Sequence, residues 1–154
     1  LHFHDFIRYQ ILGMRFLEII YFSQYYELKK SGRDPQKGRL NGTLLSATII
    51  ILNTASVFII LFKVAPHLSI VQWLKDLFTG YEGSGKMAGR FIGAILLIAI
   101  GGLLRLTIGS EKSYNKIAEK YLQFPEEVQQ KTIKQSLFIF LFSFVLFLIL
   151  VFIP

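Results

Sequence analysis

At 154 residues the chain has room for about one small domain, and 53% of its residues are hydrophobic, with a mean hydropathy of +0.48. The net charge is +7, from 17 Lys+Arg against 10 Asp+Glu, and there is no cysteine. Disulfides, Cys-ligated zinc, iron–sulfur clusters and thiol nucleophiles are thereby excluded.

The apolar residues are not dispersed at helix or strand period. They form three blocks, Leu44–Val64, Phe91–Ile108 and Leu137–Ile153, with most of the charge between them. A membrane crossing takes about 20 mostly apolar residues, with a lower limit near 17, and all three blocks reach it. Only helices and closed barrels satisfy every backbone group in hydrocarbon, and the blocks lack the alternation of barrel strands. The expected fold is therefore an all-α integral membrane protein with three transmembrane helices. An N-terminal segment, 1–40, precedes a three-span membrane domain, 41–154.

In chain order, residues 3–28 read as a helix. Arg8, Arg15 and Glu18 fall near one stripe, while Phe6, Ile7, Met14, Leu17, Ile20 and Tyr21 give a broad apolar surface. The expectation is an amphipathic helix lying in the inner headgroup region. The alternative is a fourth span, with Arg15 and Glu18 paired, at a cost of about 2.5–3.5 kcal/mol for each central charge. The same charges interrupt the stretch too often for a cleaved signal peptide. Ser31–Pro35 reads as a turn, with Gly32 as a helix C-cap. Asn41 or Thr43 is the expected N-cap of the first span.

Asn53, Thr54 and Ser56 lie in the middle of that span. Such groups hydrogen-bond across helices for about 0.6–2 kcal/mol, or else line a polar path. Pro66 opens the outer loop, where His67–Phe78 has the spacing of a short interfacial helix. Gly80–Met87 approaches the phosphate-loop pattern GxxxxGK[ST], but Met87 replaces the hydroxyl residue and no strand precedes it, so a flexible glycine loop is expected. Gly85, Gly89 and Gly93, with Gly101 and Gly109 further on, recur at multiples of four, a spacing that lets helix backbones approach closely in lipid. Arg105 closes the second span, placed to snorkel to the headgroups or to join a polar lining. A polar helix follows at about 111–123, breaks at Phe124-Pro125, and feeds the phenylalanine-rich last span, in which Ser143 is the only polar residue.

Lys and Arg number seven before the first span, four in the first loop and its flanks, six from Arg105 to Lys134, and none after. By the positive-inside rule the N-terminus and second loop are cytoplasmic, or on the side of synthesis, and the C-terminus is outside. Basic residues beside spans meet anionic lipid, so Arg8, Arg15, Lys29, Lys30 and Arg33 are expected to face lipid or a partner, and no nucleic acid is expected. His2, His4 and Asp5 cluster, but a spacing of two at one end of the sequence is a weak metal pattern. No nucleophile–base pair, paired intramembrane carboxylates or HExxH motif appears. Hence no enzyme activity, cofactor or metal is expected.

Phe16–Phe22, Tyr25-Tyr26, Asp34-Pro35 and Leu40-Asn41-Gly42 precede the first span, and a Tyr/Lys loop helix, Tyr114–Tyr121, precedes the last. In this pattern the chain resembles many small uncharacterised bacterial multi-pass membrane proteins. The resemblance covers most of the chain but not Gly80–Gly93, and it implies no activity, cofactor or catalytic residue.

The functional expectation is a small multi-pass subunit acting structurally, as a homo-oligomer or within a larger membrane complex, with lipids and other membrane subunits, or itself, as partners. The alternative is a pore-lining channel or transporter component, with Asn53, Thr54, Ser56 and Arg105 as the lining. A lipid-modifying enzyme would need a partner to supply the chemistry.

Overall fold

The computed structural model describes residues 16–72 and 85–153, with the backbone alone at 85–90 and 92. Its elements are α1 (Phe16–Lys30), a short 3-10 turn (Pro35–Lys37), α2 (Gly38–Val64), α3 (Gly85–Leu106), α4 (Glu111–Leu122) and α5 (Glu126–Phe152). The described residues contain no strand. Pro35–Val64, which is α2 with its leading turn, and α5 are each long and apolar enough to cross a membrane. Gly93–Leu106 and Glu111–Leu122, bent by 68°, provide a third crossing if the pair counts as one.

The helix ends follow local chemistry. α1 stops at Gly32, whose φ of 68° is the left-handed conformation that only glycine adopts cheaply. Gly32 N–H donates to Lys29 O at 3.2 Å and Arg33 N–H to Leu28 O at 2.9 Å, closing a Schellman motif. Asp34 then caps the Pro35 turn through Gln36 N–H, at 3.0 Å. The turn runs directly into α2, so the helix begins at Gly38. Asn41 and Thr43, the expected N-caps, therefore lie inside it, because Asp34-Pro35 starts the helical path earlier. Ser110 caps α4 by accepting from Ser113 N–H.

α2 and α5 have 27 residues each. At 1.5 Å per residue each is about 40 Å long, against about 30 Å of hydrocarbon. The excess lies at one end, where α1 packs against the start of α2, against α4 and against the start of α5. Ile19, Ile20, Tyr21, Phe22 and Ser23 of α1 are all buried. Five consecutive buried residues mean that the middle of α1 is enclosed by protein on every side. Glu18 pairs with Lys120 at 2.7 Å. Arg8 and Arg15 lie outside the described residues, as do His2, His4, Asp5, Gly80–Ser84 and the second half of His67–Phe78. The segment after α2 is described to Gln72 and turns helical at Ser69.

Candidate interaction site at the charged end of the bundle

The enclosed end is built from aromatic residues on α1 and α4. Tyr114, Ile117, Ala118 and Tyr121 are the buried residues of α4 and recur at i, i+3, i+4 and i+7, one stripe of the helix. They meet Tyr21, Phe22 and Tyr25. Phe22 stacks on Tyr121 with ring centres 4.7 Å apart, and Tyr114 stands edge-on to Tyr21 at 6.1 Å and to Tyr25 at 5.8 Å. Such pairs add about 0.5–1.5 kcal/mol beyond the area they bury.

The phenols find partners on the lead-in to α2. Tyr114 donates to Pro35 O at 2.9 Å. Tyr21 Oη lies 2.8 Å from Thr43 Oγ1, which itself donates to Arg39 O. Tyr121 Oη is buried without a hydrogen-bond partner among the described residues. Burial pushes the Tyr114 and Tyr121 phenols well above the usual tyrosine range, so both are neutral at physiological pH. The Glu18 carboxylate adds to the effect at Tyr121.

Three glycines allow this approach. A Cβ on Gly38 would overlap Tyr114 Oη, one on Gly42 would lie 2.8 Å from Tyr21 Cδ1, and one on Gly109 would lie 2.9 Å from both Tyr21 Oη and Thr43 Oγ1. Gly38, Gly42 and Ser46, all buried, form a small-xxx-small series on α2. The sequence displays that spacing openly, yet attention falls first on the longer glycine series downstream. Polar clasps surround the core. Arg39 bonds Gly109 O at 3.1 Å and Glu111 at 3.3 Å, and Gln36 donates to Asn115 at 2.7 Å.

The helix-packing residues expected from the sequence are placed differently within one chain. A Cβ on Gly93 or Gly102 would meet nothing within 4 Å, and one on Gly101 would only touch Thr43 Cγ2 at 4.0 Å. The side-chain surroundings of Gly85 and Gly89 are not described. Asn53 does bridge helices, its Nδ2 donating to Ser143 Oγ at 3.1 Å. Thr132, Ser136 and Ser143 form the buried polar line of α5, and Ser136 Oγ lies 2.9 Å from Ser23 Oγ.

The four candidate lining residues do not converge. Ser56 is buried and donates to Leu52 O, whereas Asn53 and Thr54 are exposed. Thr54 makes no side-chain hydrogen bond to the described residues. Arg105 lies near the Tyr21–Thr43 pair, and its buried Nη1 has no partner. That level is ten residues, about 15 Å, along α2 from Asn53. Lys29, Lys30 and Arg33 are exposed. Among the described residues no three His, Asp or Glu side chains gather as metal ligands. Comparison with protein-family models, curated proteins and solved structures finds no match, so the resemblance rests on its residues alone.

Proposed function

We propose that the chain is a structural subunit of a membrane assembly, with α2, α3 and α5 as its three spans and the aromatic core as a rigid cap on their charged ends. The cap and N-terminus stand on the cytoplasmic side, and the chain ends outside, as the Lys and Arg distribution favours. α3, with 22 residues, is about 33 Å long and spans by itself. α4 then turns away along the inner surface.

One observation carries the reading. Asn53 and Thr54 sit exposed at mid-span with hydrogen-bonding capacity unspent, since the Asn53 amide makes a single bond. Hydrocarbon offers such groups nothing, and a neighbouring helix does. Gly93, open within one chain and four residues from Gly89, supplies a compatible surface on α3, because small residues let a second backbone approach. Burial within one chain is also sparse, at 22% of the most apolar 18-residue stretch in Pro35–Val64 and 11% of that in α5.

The absence of native cysteine makes the test clean. Thr54→Cys should form disulfide-linked dimers, or mixed disulfides with a partner, under mild oxidation in native membranes. Gly89→Leu with Gly93→Leu should reduce assembly. Unlinked Thr54→Cys together with unchanged assembly of the glycine double variant would refute the reading. The same exposed pair favours a second reading, in which oligomers enclose a polar path. Ion flux in liposomes, abolished by Asn53→Leu, would select it.

A further inference from the structure

A second feature lies beyond assembly, on the outward face of α4. Lys112, Lys116 and Lys120 recur every fourth residue and are exposed, opposite the stripe buried against α1. Beside them, between α1, the end of α3 and α4, opens a cleft of about 370 Å³. Lys116 and Lys120 stand on its rim, with the Thr107 and Ser113 hydroxyls near them, and Ile108 and Ile117 form its apolar wall. Lys120 is held by Glu18 at 2.7 Å. Lys116 makes no ion pair among the described residues.

We propose that this cleft binds the phosphate headgroup of an anionic phospholipid. Position argues for it. Thr107 and Ile108 directly follow α3, at the level where an apolar span gives way to headgroups. Leu103 and Leu106, in the last turn of α3 just before Thr107, are among the most exposed apolar residues, at 65% and 81%. Chemistry agrees. A soluble anion needs only the cations and hydroxyls, whereas a phospholipid also uses the isoleucine wall and the leucines beyond it. The basic residues of a cytoplasmic loop face the leaflet that carries anionic lipid. Lys116 contributes the free charge, Thr107 and Ser113 can donate to phosphate oxygens, and the Glu18–Lys120 pair keeps one rim in place. The site rests on the orientation proposed above but needs no second protein chain, so a failure of assembly leaves it standing.

Native mass spectrometry of the full chain in detergent, titrated with phosphatidylglycerol or phosphatidylcholine, tests the proposal. Phosphatidylglycerol should give a retained adduct and phosphatidylcholine none. Lys112→Gln with Lys116→Gln should weaken the adduct roughly fivefold per lysine, while Lys116→Arg keeps it. Lys131→Gln with Lys134→Gln, on α5, should leave it unchanged. Near-ultraviolet circular dichroism of the buried tyrosines establishes that each variant is folded. Equal retention of both lipids, or an unchanged adduct in the Lys112/Lys116 variant, would overturn the proposal. Displacement by inorganic phosphate alone, with no preference between the lipids, would assign the cleft to a free anion and overturn the lipid assignment.

Discussion

Tyr21 shows how single residues organise the charged end. Its ring occupies the space left by the missing side chain of Gly42, its edge meets Tyr114, and its hydroxyl reaches Thr43. Gly42→Ala puts a methyl 2.8 Å from Tyr21 Cδ1, so it should destabilise the protein by about 1–3 kcal/mol, the usual cost of overpacking. Gly102→Ala, with open space around it, should be neutral or mildly stabilising, since alanine is the better helix former by about 1 kcal/mol. Thermal unfolding in detergent checks the pair, and equal effects would contradict the packing described. Tyr114 and Tyr121 give a pH signature. Their folded pKa values lie above the ordinary 10.0, so the unfolded chain releases these protons first. The stability linked to them is complete below about pH 10 and is lost as pH rises from there. Tyr21 is buried and its pKa is raised in the same direction, so absorbance of tyrosinate should show three of the seven tyrosines ionising only as the helices melt. Ionisation of all seven near pH 10 without unfolding would contradict this burial.

At the scale of elements, the notable feature is that α2 and α5 run unbroken from the aromatic cap into the apolar region. A rigid cap on two continuous rods sets the angle between spans. Polar pairs then hold the rods, Ser23 of α1 tying α5 to the cap through Ser136, and Asn53 with Ser143 joining α2 to α5. Ser143→Ala should cost about 0.6–2 kcal/mol, the range for hydrogen bonds between membrane helices, and a cycle with Asn53→Leu should recover that value as the coupling. The Glu18–Lys120 pair is half open to solvent on the lysine side. Glu18→Gln should cost no more than about 1 kcal/mol, with salt attenuating the difference.

These elements also show what was legible beforehand. Blocks of apolar residues announced α2, α3 and α5, because a long uncharged run has few other uses. The Asp34-Pro35 turn, the Gly32 cap and the break at Phe124-Pro125 were legible for the same local reason. The enclosure of α1 was not, since a broad apolar surface looks alike whether it meets lipid or protein. What decides between them is the partner stripe Tyr114, Ile117, Ala118 and Tyr121, some ninety residues away. The tight glycines are Gly38, Gly42 and Gly109, and of these only Gly109 belongs to the series Gly85, Gly89, Gly93, Gly101 and Gly109. Spacing identifies a surface able to pack closely but not the helix that does so.

For the whole molecule, the account joins a tightly packed polar–aromatic cap to spans that are sparsely buried in one chain and carry exposed mid-span polar groups. The assembly proposed above would give those polar groups partners. Native mass spectrometry of the tagged protein, extracted gently from its own membrane, tests that claim most directly. The account predicts multiples of 17.7 kDa or further stoichiometric protein masses. A bare monomer, carrying lipid alone and unchanged by Asn53→Leu, would contradict it.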